Sequence, residues 1–185
     1  MKIEIISGSP RYNSLTKRVA IHLFQQLKNV EDIEVGLIDV FDFTLPPVNQ
    51  IIQSPDNAPE QLRILARRMF EADAFILVTP EYNGGYSPAM KNLLDHFPKQ
   101  NHKVFAIATA SPGAMGGMRA ALALQHLVYG LFGIGSPHML IVPEVDKKFS
   151  SDGSLIDEKF SSQVKHFNNE FLWLVRNLSH ESELV

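Results

Sequence analysis

The chain has 185 residues, 45% of them hydrophobic, with 17 Lys and Arg against 20 Asp and Glu and a net charge of -3. That length suits one domain with a real core, and the charge balance carries no basic footprint for nucleic acid. Without cysteine there is no disulfide, no thiolate metal site and no Cys nucleophile; no run has the length of a membrane span and no signal-type apolar segment precedes the first strand, so a cytoplasmic protein without a membrane partner is expected.

Lys2 to Ile6 is short and β-branched, as a strand buried in a sheet should be. It gives way to Gly8-Ser9-Pro10-Arg11-Tyr12-Asn13-Ser14. Leu15, Val19, Leu23 and Leu27 then recur every four residues, with Ala20 and Phe24 beside them, which predicts an amphipathic helix. A strand, a polar loop and a helix start in that order form a cradle for one small anion, because the first helical turn offers unpaired N–H groups and partial positive charge. Ser9, Ser14 and Thr16 add hydroxyl donors, and Arg11 adds a planar fork matched to phosphate oxygens. Taken alone, Ser14 serves equally as a helix cap and Arg11 as a solvated cation. Neither G-x-x-x-x-G-K-[ST] nor G-x-G-x-x-G follows the strand, which leaves a monophosphate as the anion.

Glu34 to Val40 reads as the second strand, and Leu45 to Pro59 as a Pro-rich irregular stretch too short for a domain linker. Gln61 to Glu71 is a helix with Leu62, Leu65, Ala66 and Met69 inward, and Ala74 to Thr79 is an apolar third strand. The loop Thr79-Pro80-Glu81-Tyr82-Asn83-Gly84-Gly85-Tyr86 leads to Ser87 and Pro88, placed as an N-cap and first helical residue. Met90, Leu93, Leu94 and Phe97 mark the buried face of that third helix. Val104 to Thr109 is the fourth strand, Gly116 to Phe132 the fourth helix and Pro137 to Val142 the fifth strand. Phe160, Val164, Phe167, Phe171, Leu174 and Leu178 hold the spacing of a last helix.

Strand and helix thus alternate five times, which predicts an α/β fold with a parallel sheet covered on both faces. Such sheets bind ligands at the carboxyl ends of their strands, so the loops after strands one, three and four should converge on one site. In the second of these loops Tyr82 can pack on a flat ligand, and Gly84 and Gly85 let the backbone approach it. The plainer reading is a half-exposed aromatic beside a simple Asn83-Gly84 turn. In the third, Gly116-Gly117 either lays a floor under the ligand or merely allows a tight helix entry.

Gly8-Ser9-x-Arg11-x-x-Ser14 is joined by Pro80-Glu81-Tyr82-Asn83, which Lys91-Asn92 and Asp95 follow, and by Ser111-Pro112-Gly113 with Gly116-Gly117-x-Arg119-Ala120. In this order the set resembles the NADPH-dependent FMN reductase family, a flavodoxin-like group that includes quinone, azo and chromate reductases; the resemblance covers roughly residues 2 to 145. It implies a three-layer flavodoxin-like sandwich over residues 1–185, with a five-stranded parallel sheet in the order 2-1-3-4-5. It also implies bound FMN, with Ser9, Arg11, Ser14 and Thr16 at the phosphate. Pro80, Glu81, Tyr82 and Asn83 would then hold the ring, with Ser111, Gly113 and Gly116 near its other side. Gly117 and Arg119 would serve the dinucleotide or a subunit interface.

A flavin enzyme of this kind needs no catalytic side chain, because the flavin N5 carries the chemistry. Hydride would pass from NADPH or NADH to FMN and on, in a ping-pong cycle, to a free flavin, a quinone, an azo compound or a metal oxyanion. The alternative is a flavodoxin-type electron carrier with a protein partner. Such carriers are usually strongly acidic around the flavin, whereas a net charge of -3 is feeble attraction for a basic partner, and their phosphate loop resembles T-x-T-G-N-T, unlike Ser9-x-Arg11-x-x-Ser14. A silent scaffold that keeps only the fold is the third possibility.

Seven histidines are spread along the chain without zincin spacing, so metal binding is not expected and most should lie at the surface. Asp95-His96 lacks a G-x-S-x-G elbow to make a hydrolase of it. The fourth helix, with Ala120 to Leu124, Leu127, Val128, Tyr129, Leu131 and Phe132, has almost no polar face. Either the last helix covers it or a second copy does; a homodimer, or a dimer of dimers giving a homotetramer, is the expectation.

Overall fold

The computed structural model describes residues 1–179. β1 (Lys2–Ser7), β2 (Glu34–Asp39), β3 (Ala74–Thr79) and β4 (Val104–Ala110) are parallel strands, and the last strand is split into β5 (Ile134–Gly135) and β6 (Leu140–Val142). The sheet runs β2-β1-β3-β4-β5, with β6 also paired to β4. The order is the one expected, whereas the continuous strand Pro137 to Val142 is not found. Between the two short ladders stands Pro137, which has no N–H to give a neighbour.

Helices α1 (Leu15–Leu27), α2 (Arg63–Glu71), α3 (Pro88–Asp95), α4 (Met118–Gly130), α5 (Val145–Lys148) and α6 (Ser161–Ser179) connect and follow these strands. Because strand side chains alternate sides, the sheet builds two cores. Ile3, Ile5, Ile76, Val78, Ala106 and Ala108 meet Val19, Leu23 and Leu27 of α1 and Val164, Phe167 and Phe171 of α6. On the other face Ile6, Phe75, Leu77, Phe105 and Ile107 meet Leu65 and Met69 of α2, Met90, Leu93 and Leu94 of α3, and Leu124 and Val128 of α4. Phe75 and Phe105 are register partners and stack with ring centroids 5.2 Å apart; such an aromatic pair adds about 0.5–1.5 kcal/mol beyond its buried area.

This layering decides how the apolar fourth helix is covered. α6 lies across the sheet from α4, so it does not cover that helix, and Leu122, Tyr129 and Phe132 are exposed at 55%, 71% and 61%. Of the six described histidines, half lie at the surface, His138 is half-buried and two are interior. His102, His126 and His166 are exposed, His22 and His96 are buried, and His180 lies outside the described residues.

A partly buried ion pair ties α2 to the sheet. Glu4 of β1 accepts from Arg68 Nε of α2 at 2.7 Å and from the guanidinium's Nη2. Its strand partner is Gly36, where a Cβ would stand 2.3 Å from Glu4 Oε2 and 2.6 Å from Arg68 Nη2. The pair therefore occupies the volume that Gly36 leaves open.

Candidate functional site

The carboxyl ends of β1, β3 and β4 lie side by side, and the loops that follow them close on one cavity of about 350 Å³. Its wall is Ser9, Arg11, Asn13, Ser14, Leu15 and Thr16 from the first loop and helix start, Pro80, Glu81 and Tyr82 from the second, and Ala110, Ser111 and Pro112 from the third. The volume lies within the ordinary range of small-molecule sites. A larger groove of about 810 Å³ runs between α1 and α6, but it lies off the strand ends where sheets of this kind seat ligands.

At the helix start Ser14 Oγ accepts the Lys17 N–H at 3.2 Å, so Ser14 is the N-cap. Capping occupies one first-turn donor and leaves the N–H groups of Leu15 and Thr16, both on the cavity wall, without an intrahelical acceptor. Ser9 and Thr16 are buried, and Ser9 Oγ accepts the Arg11 N–H at 3.4 Å. Lys17 reaches away from the cradle to Asp39 Oδ2 at 2.7 Å, a hydrogen-bonded contact that raises the pKa of its ammonium. The exposed Arg11 guanidinium lies over the Tyr82 ring, 4.7 Å from its centroid.

The second loop is fixed at both ends. Ser87 caps α3 by accepting the Met90 N–H at 3.0 Å, and its hydroxyl donates to Gly8 O, which joins the first and second loops. Tyr82 and Gly85 exchange backbone hydrogen bonds of 2.9 and 3.1 Å around Asn83 and Gly84, whose φ values are 50° and 84°. Those values belong to a tight hairpin-type turn. The turn reading of Asn83-Gly84 therefore holds, and exposed Asn83 is at the turn tip and not on the cavity wall.

Glu81 faces the start of α4. Its carboxylate accepts the Arg119 N–H at 3.1 Å and lies 3.5 Å from the Arg119 guanidinium. Arg119 is thus held beside the second loop with its side chain 75% exposed.

In the third loop Ser111 Oγ accepts the Gly113 N–H at 3.0 Å, and Gly113 O accepts from Gly116 at 3.2 Å. Gly116 has φ 61°, and a Cβ there would come within 2.7 Å of Pro143 N. Gly113, Gly116 and Gly117 shape this loop from behind and do not line the cavity. The wall brings together Ser9, Arg11, Ser14, Thr16, Pro80, Glu81, Tyr82 and Ser111 of the residues singled out in the sequence. It also includes Leu15, which the sequence marked only as part of the helix repeat, and Asn13, Ala110 and Pro112, whose only sequence signal was their place in the same three loops.

The donors fit a phosphate, and one buried polar atom fits a ligand with hydrogen-bonding capacity: Tyr82 Oη is buried with no partner among the described residues. A helix start, an arginine and an aromatic face within one cavity suit the two ends of riboflavin 5′-phosphate. No group of three His, Asp or Glu side chains able to hold a metal occurs among the described residues, and no described helix is long and apolar enough to cross a membrane.

Comparison with known proteins adds an independent line. The family model described as NADPH-dependent FMN reductase matches residues 1–146. A Staphylococcus aureus protein named FMN-dependent NADPH-azoreductase is 32% identical over 191 residues, covering 98% of each chain. Among solved structures, the flavoenzyme NAD(P)H:(acceptor) oxidoreductase FerB from Paracoccus denitrificans superposes with a TM-score of 0.79 at 23% identity, covering 95% of this chain and 97% of that one. A Bacillus anthracis FMN-dependent NADH-azoreductase in complex with FMN gives a TM-score of 0.58 at 12% identity, over 92% and 99% of the two chains. Both likenesses establish a shared fold.

Proposed function

The chain belongs to the NADPH-dependent FMN reductase family, and from that premise we propose that the cavity over β1, β3 and β4 is its FMN site. The observation that carries this reading is the convergence of three separate strand-end loops on one cavity that contains an uncommitted helix start. The protein is an FMN-dependent NAD(P)H oxidoreductase. When bound, FMN supplies the redox chemistry, taking an electron pair from the dinucleotide and releasing it to an acceptor.

The side chains of the site bind and orient. The Leu15 and Thr16 N–H groups, Ser9 and Arg11 supply donors and positive charge to the phosphate. Tyr82 supplies a flat face, and the Glu81–Arg119 contact holds its loop against α4. The acceptor is an azo compound or a quinone, in keeping with relatives named as an azoreductase and an NAD(P)H:(acceptor) oxidoreductase. Donor and acceptor use the same open face in turn, which gives ping-pong kinetics. The bare apolar side of α4, with Met118, Leu122 and Tyr129, supports a symmetric homodimer that can pair again into a tetramer. A cytoplasmic location follows from the use of NAD(P)H.

The test is the absorbance spectrum of the purified protein, followed by anaerobic mixing with NADPH. A flavin spectrum that bleaches rapidly is expected, with parallel double-reciprocal lines when NADPH and an azo dye are varied. Slow or absent bleaching would favour a flavodoxin-type carrier, and a colourless protein that takes up no FMN would remove the reading.

A further inference from the structure

Arg11 and Tyr82 come from different loops, line the same cavity and touch each other across it, with the guanidinium carbon 4.7 Å from the ring centroid. A planar cation at that distance occupies the aromatic face by cation–π attraction. A flat heterocycle seated on the same face must displace it, since both need the same few ångströms above the ring. The guanidinium has one better partner within reach, namely a phosphate at the α1 start, whose wall residues Ser14, Leu15 and Thr16 share the cavity with Arg11.

On the reading that the cavity binds FMN, we propose that Arg11 is a specificity-determining guard. It covers the Tyr82 face and yields it only to a flavin that carries a phosphate. FMN exchanges the cation–π contact for a charge-assisted contact to its own phosphate, and so compensates for moving the side chain. Riboflavin has the same ring and no anion, so it must displace Arg11 without return. One side chain would thus act twice, attracting the phosphorylated flavin and opposing the unphosphorylated one. The exposed position of Arg11 leaves it free to move between the two partners, because among the described residues only its backbone N–H, on Ser9, is hydrogen-bonded.

The test is binding of FMN and of riboflavin to the full chain freed of flavin, read from flavin fluorescence, in the native protein, in Arg11→Ala, and in Tyr82→Leu and Tyr82→Phe each with and without Arg11→Ala. Circular dichroism confirms the fold of each. Arg11→Ala is expected to weaken FMN roughly 10- to 100-fold, as for loss of a hydrogen bond to a charged group. The same change should tighten riboflavin about two- to fivefold, the worth of an exposed cation–π contact. In the Tyr82→Leu background Arg11→Ala should leave riboflavin affinity unchanged, whereas in the Tyr82→Phe background, which keeps the ring face, Arg11→Ala should still tighten riboflavin.

If Arg11→Ala weakens FMN but leaves riboflavin unchanged or weaker, Arg11 reads the phosphate and guards nothing, and the inference is overturned. If neither affinity moves, the phosphate is bound elsewhere, and the assignment of the FMN site fails with it.

Discussion

Glu81 shows how a side chain singled out for one role can be committed to another. Its carboxylate spans two loops, accepting the Arg119 N–H and facing the Arg119 guanidinium. Glu81→Gln keeps the acceptor and loses only an ion pair at 3.5 Å whose arginine is exposed, which changes stability by about 0–1 kcal/mol. Glu81→Ala also leaves the α4 start without its acceptor, and should cost about 1 kcal/mol more; thermal melts of the two variants separate these contributions. Its partner was not legible in the sequence, because nothing in Pro80-Glu81-Tyr82-Asn83 says which later residue the carboxylate will meet. His22 was illegible for the same reason: its ring is buried, with Nδ1 donating to Gly153 O at 2.9 Å from a loop far along the chain. Desolvation lowers its pKa below the usual 6.5. The unfolded chain then takes up a proton at higher pH than the folded one, so the neutral ring's contribution is complete above pH 6.5 and is lost as pH falls from there through the depressed folded value. Urea midpoints from pH 8 to 5 should therefore drop, and His22→Asn, which keeps an N–H for Gly153, should flatten that slope. An equal slope in both proteins would assign it to carboxylates alone.

At the scale of elements, periodicity carried far. The four-residue repeat of Leu15, Val19, Leu23 and Leu27 and the apolar runs of β3 and β4 each have one burial solution, so their places in the two cores were legible. The final strand was not, since Ile134–Gly135 is only two residues long and ends in a glycine, too little pattern to mark a strand. The cradle, the Ser87 cap and the three strand-end loops were legible because their residue types follow from local backbone needs. The division of labour within the third loop was not, because Gly113 and Gly116 look alike in sequence whether they touch a ligand or shape the turn behind it. Two glycines give element-scale predictions. Gly36→Ala should force the Glu4–Arg68 pair aside and loosen α2 from the sheet, costing about 1–3 kcal/mol by the usual scale of overpacking. Gly116→Ala meets both a positive φ and the Pro143 backbone; it should destabilise by about 1–3 kcal/mol, and in flavin titrations it should also weaken FMN binding by re-aiming the third loop. Urea denaturation reads the stability change in each.

For the whole molecule, the two cores leave unequal surfaces. The α1–α6 side carries the chain's last described helix over the sheet, and the α4 side presents Leu122, Tyr129 and Phe132 to solvent. A protein that assembles through α4 should sediment as a dimer or tetramer at micromolar concentration, and Leu122→Asp with Tyr129→Asp should reduce it to monomer without altering its circular dichroism. A native protein that sediments as monomer would remove the dimer from the proposed function.

The divided last strand bears on behaviour in a crowded solution. A sheet rim with a long free row of amide and carbonyl groups recruits foreign chains and seeds fibrils. Here that rim is a two-residue rung and a three-residue rung separated by Pro137. Neither piece is long enough to template an incoming strand, so the interruption that hid this element from its sequence pattern also keeps the sheet from growing past this one rim.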